Sequence, residues 1–173
     1  MNLNNIVQAA IFTAMAIGLG FMFMFVPNLE FISVTVFLAG FTLGKKYGIL
    51  VGATAILIYS AMNPLGSGLI YFTLLIGQIV AMALVGCIGA LSVSILPQKI
   101  NSILVTLSAV FGFIVALIYD GITTIAYPLS AGYNLDETIA YAISGLAFTF
   151  MHLISNAAIF SIVIPGYIKR KYL

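Results

Sequence analysis

Long apolar stretches separated by short polar joints make up nearly the whole chain. Proline and glycine stand at most of the joints, and these residues end helices. An apolar run of about 20 residues is long enough to cross a membrane as a helix, so the pattern predicts a bundle of membrane-spanning helices. The six predicted helices cover residues 5–25, 31–44, 47–62, 69–96, 102–127 and 137–164.

Prolines mark the predicted ends of the long helices. The first, fourth and fifth helices are expected to end just before Pro27, Pro97 and Pro128, and Pro165 lies near the end of the sixth. The second and third helices are shorter than a full span. They are expected to tilt little, to thin the bilayer locally or to pack inside the bundle. A re-entrant pair is less favourable because it would place two lysines inside the membrane.

The amino-acid composition also requires a lipid environment. Of the 173 residues, 63% are hydrophobic and only 6% are charged, whereas a soluble domain carries about 25% charged residues. A water-facing surface cannot be built from this composition. We therefore expect an all-α integral membrane protein with a single six-helix transmembrane domain over residues 1–173. No cleavable signal peptide is expected, because no basic segment precedes the first apolar run.

The few charged residues sort by sign from one connection to the next. Three of the four acids lie in connections that alternate with the basic ones, and the basic residues are Lys45, Lys46, Lys99, Lys169, Arg170 and Lys171. Lysine and arginine stay on the cytoplasmic side of membrane proteins. With six spans, both the N- and C-termini are then cytoplasmic, and the protein is expected in the cell membrane of a prokaryote. The net charge of +2 reflects this topology and indicates no nucleic-acid partner.

Small residues form a stripe along the first predicted helix. Ala10, Ala14 and Gly18 are spaced by four and therefore share one face. Small residues let another helix approach closely in lipid. Two interpretations stay open, packing within this chain and a docking face for a partner subunit. A second set of small residues predicts a close contact between the second and third helices: Gly40, Gly44, Gly48 and Gly52.

Asp120 is the only acid inside a predicted span, where a charge is costly unless it faces a cavity or a partner. No lysine or arginine lies in any predicted span, so its partner would be His152, a tyrosine hydroxyl or a ligand. If Asp120 contacts a ligand, it accepts a hydrogen bond or faces a positive group. His152 is either a ligand contact or an interhelical hydrogen bond, and both interpretations stay open.

Further polar side chains cluster in the half of the bundle that the charge pattern places outside. Tyr71 and Gln78 share a face of the fourth helix, and Tyr59 and Asn63 lie near the outer end of the third. A cavity with aromatic walls and a few polar contacts is typical of small-molecule sites. The predicted substrate-binding residues are Asp120, Tyr71, Gln78, Asn63, His152 and Tyr59.

Two outer connections rich in proline and glycine are expected to gate this cavity. The residues that shape them are Pro27, Glu30, Pro64, Gly66 and Gly68. The sequence contains no phosphate-cradling glycine loop and no cluster with metal-ligand spacing, and no nucleophile is matched to a base. No catalytic residue, metal or cofactor is therefore predicted, and the protein is not expected to be an enzyme.

Together, these features resemble the S components of energy-coupling factor (ECF) vitamin transporters. The resemblance rests on the chain length, on six helices with cytoplasmic ends and on the pair Ala10-x-x-x-Ala14. The segment Phe37-Leu-Ala-Gly-Phe-Thr-Leu-Gly-Lys-Lys-Tyr-Gly-Ile-Leu-Val-Gly-Ala is also similar to the junction between the second and third helices of that family. In that family the alanine pair docks the transmembrane T component, and each S component binds one vitamin or related micronutrient near the outer face. This chain contains no tryptophan, which is a common stacking residue in such sites.

The resemblance implies a substrate-binding subunit that works with a T component and two cytoplasmic ATPase subunits. ATP hydrolysis would take place in those partners, and the chain would reorient to release its vitamin-like substrate inside. The alternative is a stand-alone secondary carrier or channel for a small solute. A continuous polar path would be needed for that, and the cytoplasmic half offers little beyond Asn156 and Ser161. A membrane enzyme is the third possibility.

Overall fold

A computed structural model describes residues 3–65 and 68–172 as a bundle of six α-helices. The prediction of an all-helical chain with six helices is confirmed, and the described residues contain no strand. Four of the helices, the first and the last three, are long and apolar enough to cross a membrane. The helices are α1 (Leu3–Phe23), α2 (Ile32–Leu43), α3 (Lys45–Met62), α4 (Phe72–Leu91), α5 (Ser102–Ala131) and α6 (Leu135–Tyr172), and a single 3₁₀ turn (Ser92–Ser94) follows α4.

Helix α2 occupies the centre of the bundle. It contacts each of the other five helices, and every residue from Ile32 to Phe41 is buried. A helix without a polar face is stable only where other apolar surfaces surround it. Of the alternatives for the short second helix, packing inside the bundle is the one that the structure supports.

The other five helices surround α2 in the order α1, α3, α4, α5 and α6. Successive helices in this order pack against each other, but no extensive contact joins α1 to α6. A cleft therefore remains between these two helices, and Phe12, Leu38 and Tyr167 lie along it.

Glycines bring α2, α3 and α4 into backbone contact. Gly86 in α4 lies so close to the Gly48 carbonyl that a Cβ atom added to Gly86 would overlap it. A Cβ atom added to Gly40 in α2 would likewise overlap the Gly86 carbonyl. The predicted contact between α2 and α3 is therefore part of a three-helix contact, and the sequence prediction missed the contribution of α4. Gly44 takes no part in it and instead joins α2 to α3 with a φ of 85°.

The two ends of the bundle differ in charge. Lys45 begins α3 at one end, where the Thr42 and Tyr167 hydroxyls share a 2.7 Å hydrogen bond. The Lys171 ammonium lies 5.2 Å from the centre of the Phe41 ring at the same end. We call this end, which carries the α2–α3 junction, the connection 92–101 and the last turn of α6, the basic end. The acidic end carries the connections 24–31, 63–71 and 132–134.

Two of the predicted helix stops are wrong. Pro128 lies inside α5, which continues to Ala131, and Pro165 lies inside α6. A proline in a membrane helix removes one backbone hydrogen bond, and the packed surroundings allow the helix to continue. Helix α5 ends instead at Gly132, whose φ of 76° is a left-handed conformation that glycine adopts without strain. The connection between α5 and α6 is therefore much shorter than predicted.

Candidate functional site

Asp120 of α5 and His152 of α6 form a close pair. His152 Nδ1 lies 2.9 Å from Asp120 Oδ1 and 3.0 Å from Asp120 Oδ2. Their side chains are only 15% and 12% exposed, respectively. His152 was one of the partners that the sequence left open for Asp120, and the structure brings the two together as an interhelical hydrogen bond. A contact of either residue with a ligand stays a prediction.

Glu30 approaches the opposite side of the His152 ring from the connection 24–31. Glu30 Oε1 lies 3.9 Å from His152 Nε2, and Glu30 Oε2 accepts a 3.1 Å hydrogen bond from the Ser33 backbone N–H. This bond satisfies one of the free donors in the first turn of α2. Burial by itself would raise the pKa of the Glu30 carboxyl, but His152 and Ser33 together hold that pKa below its ordinary value. The imidazole separates the two carboxylates, and the described residues contain no group of three ligands that could hold a metal ion.

A cavity of about 280 Å³ opens beside this cluster, toward the acidic end. Glu30, Asp120 and His152 supply its ionisable wall, and Tyr59 and Tyr119 supply aromatic faces. We call this space the acidic cavity. Three of the six predicted binding residues, namely Asp120, His152 and Tyr59, therefore line one space.

A second cavity, of about 340 Å³, adjoins the acidic cavity and shares Asp120 and Phe148 with it. Its walls include Tyr127 and Tyr141, whose rings stack with their centroids 5.1 Å apart. Tyr71 packs against the Tyr127 ring at 5.1 Å but is not among the described residues that line either cavity. Tyr71 thus contacts an aromatic residue of the cavity wall, and its own binding role stays a prediction.

Gln78 and Asn63 are predicted binding residues that line neither cavity. Gln78 Oε1 accepts a 2.6 Å hydrogen bond from the Ser60 hydroxyl and so links α4 to α3. Asn63 Oδ1 accepts a 3.0 Å hydrogen bond from the Leu65 backbone N–H in the turn after α3. In this conformation both side chains make structural hydrogen bonds, and their binding roles stay predictions.

The predicted gate residues fall into two groups. Pro27 and Glu30 line the acidic cavity. Pro64 is exposed in the turn after α3, and Gly68 is buried and donates its backbone N–H to the Ser60 carbonyl at 2.9 Å. Gly66 lies outside the described residues. Of the described residues in these two connections, only those of 24–31 line the acidic cavity, and a gating movement stays a prediction.

The stripe of small residues on α1 faces outward. Ala10, Ala14 and Gly18 are exposed, and a Cβ atom at Gly18 would meet nothing within 4 Å. The opposite face of α1, which includes Ala9 and Ala16, is buried against the bundle. Of the two interpretations of the stripe, the structure disfavours packing within this chain.

Sequence reasoning did not single out most of the residues that line the acidic cavity, among them Asn28, Tyr119 and Phe148. Asn28 has a left-handed backbone with a φ of 59°, and its Oδ1 is buried. The position of Tyr119 next to an acid inside a span was a usable signal. Glu30 was assigned to a gate, because no local pattern predicts that it meets His152 from another part of the chain.

The site combines carboxylate and amide oxygens, one imidazole and several aromatic faces around a small space. Such an arrangement suits the binding of a small polar molecule. Comparison of the chain with protein-family models, with curated proteins and with solved structures gives no match.

Proposed function

We propose that this chain is the membrane-embedded substrate-binding subunit, the S component, of an ECF transporter that imports a vitamin or related micronutrient. The observation that carries the proposal is the confinement of the polar cavity to one end of the bundle. Toward the basic end, the rings of Phe37 and Phe160 are fully buried with their centroids 5.3 Å apart, and Phe111 packs against Phe37 at 5.5 Å. This aromatic packing closes the cavity toward the basic end. Such an arrangement suits a protein that binds a molecule and needs partners to release it.

The exposed stripe of Ala10, Ala14 and Gly18 supports the partner side of the proposal. In lipid, helices associate through close packing of small residues, because apolar surface alone gives no driving force. A stripe that is exposed on the surface of the bundle is therefore suited to a second membrane subunit, which we propose to be the T component. Two cytoplasmic ATPase subunits would complete the transporter and hydrolyse ATP.

The charge difference between the ends supports an orientation. Lysine and arginine stay in the cytoplasm, so the basic end would face inward with both termini, in the cell membrane of a prokaryote. The acidic cavity would then open toward the outside. Capture of a scarce nutrient from outside the cell requires this arrangement.

Uptake into lipid vesicles tests the proposal against a stand-alone carrier. The chain would first be purified in mild detergent, and native mass spectrometry would identify any small molecule that it retains. Uptake of that molecule would then be measured with the chain alone and with its copurified T component and ATPases. We expect uptake only with the partners and ATP. Concentrative uptake by the chain alone would contradict the proposal and favour the carrier.

A further inference from the structure

Two buried oxygen atoms on the connection 24–31 have no hydrogen-bond donor. They are Asn28 Oδ1 and Glu30 Oε1, and the described part of the chain holds one other such acceptor, Asn156 Oδ1. Asn28 and Glu30 both line the acidic cavity. A buried acceptor without a donor costs free energy, and a carboxylate oxygen costs the most. Two acceptors of this kind on residues that line one cavity favour a ligand that donates hydrogen bonds.

The Asp120 carboxylate is different, because both of its oxygens lie within 3.0 Å of His152 Nδ1. Glu30 Oε1 lies 3.9 Å from His152 Nε2, which is beyond hydrogen-bonding distance. Glu30 Oε1 is therefore the carboxylate oxygen at this cluster that still lacks a hydrogen bond and can accept one from a ligand.

The balance of charge around the cavity points in the same direction. The described residues that line it include two acids, Glu30 and Asp120, one histidine and no lysine or arginine. The wall therefore carries a net negative charge even when His152 is protonated. Tyr59 and Tyr119 add aromatic faces, which attract cations through the ring quadrupole.

We propose that the ligand of this protein carries a positively charged nitrogen with N–H donors, such as a primary ammonium group, and that Glu30 and Asn28 receive it. This inference rests on the proposed function, because it names the substrate class of the same site. The cavity of about 280 Å³ lies at the small end of the range of roughly 300–1,000 Å³ for ligand pockets. A compact molecule is therefore expected.

Three probes of similar size and different charge test the proposal on the full chain in lipid nanodiscs. They are benzylammonium, benzyl alcohol and benzoate, and their binding is measured by ligand-observed NMR. We expect benzylammonium to bind in preference to the other two. Equal binding of all three, preferential binding of benzoate, or no binding of benzylammonium would overturn the proposal.

Two variants locate the binding in the acidic cavity. Glu30→Gln removes the charge but keeps an oxygen that can accept from the Ser33 N–H. Asn28→Gly removes the amide oxygen, and glycine adopts the φ of 59° without strain. Loss of a hydrogen bond to a charged group lowers affinity by about 10- to 150-fold, so Glu30→Gln should weaken benzylammonium binding in that range.

Asp136→Asn is the matched control, because Asp136 is an exposed acid of the acidic end outside both cavities. Benzylammonium should bind this variant as it binds the parent. Undiminished binding to folded Glu30→Gln and Asn28→Gly would overturn the proposal.

The vesicle experiment distinguishes a failure of this inference from a failure of the proposed function. A retained anionic molecule that is taken up only with the ATPases would overturn the cationic class and leave the transporter assignment intact. Preferential benzylammonium binding that Glu30→Gln weakens, together with uptake by the chain alone, would support the cationic class and remove the S-component assignment.

Discussion

His152 Nδ1 lies 2.9 Å from Asp120 Oδ1, so the single histidine of the chain links α6 to the acid that lies within α5. From the sequence, the partner of Asp120 could be His152, a tyrosine hydroxyl or a ligand. In the folded chain it is His152 that contacts Asp120. Since this bond satisfies Asp120 inside the protein, loss of either residue should first affect the packing of α5 against α6.

A double-mutant cycle measures this link. Asp120→Asn and His152→Gln should show a coupling energy of about 0.5–3 kcal/mol, as side chains in direct contact do. The free energy of unfolding would be measured in detergent for the parent, both single variants and the double variant. Asp136→Asn combined with His152→Gln is the control and should show no coupling. Additive effects of Asp120→Asn and His152→Gln would mean that the pair does not hold α5 to α6.

The membrane orientation can be tested by labelling. In a Cys87→Ala background, cysteines introduced as Lys99→Cys and Asn134→Cys should react with a membrane-impermeant reagent from opposite sides. The connection 92–101 belongs to the basic end and the connection 132–134 to the acidic end, and lysine and arginine favour the cytoplasm. Labelling of both positions from the same side would contradict the six-span topology.

Bulk on the exposed stripe of α1 should block assembly. Ala10→Trp or Ala14→Trp places a large ring where close helix approach is needed, and we expect copurification of the T component and the ATPases to be lost. Binding of the small molecule to the isolated chain should be nearly unchanged, because the stripe lies outside both cavities. Ala158→Trp is the control, since Ala158 is an exposed alanine on α6. If transport survives both α1 changes, this face is not the docking surface.

The three-helix glycine contact should tolerate no added methyl group. A Cβ atom at Gly86 would overlap the Gly48 carbonyl group, and overpacking of this kind costs about 1–3 kcal/mol. Gly86→Ala should lower the free energy of unfolding in detergent by that amount. Gly145→Ala, where a Cβ atom meets nothing within 4 Å, should leave it unchanged or raised. Equal stability of the two variants would show that α3 and α4 can move apart without cost.

The sequence by itself determined the helical class, the number of helices and the separation of charge between the ends. Each of these depends on local properties, namely the length of an apolar run, the glycine and proline between runs, and the position of each lysine. The spacing of Ala10, Ala14 and Gly18 likewise placed three small residues on one face, since helical periodicity is local. The direction in which that face points is a property of the packed bundle.

Only the tertiary structure decided which residues form the site. Glu30 and His152 come from distant parts of the chain, so their 3.9 Å approach depends on how α2 and α6 pack. Tyr71, Gln78 and Asn63 share the expected end of the bundle but lie off the cavity walls, because helix rotation within a bundle is set by neighbouring helices. The end of α5 likewise could not be predicted from the sequence alone. Proline usually stops a helix, but the packed surroundings let α5 continue past Pro128.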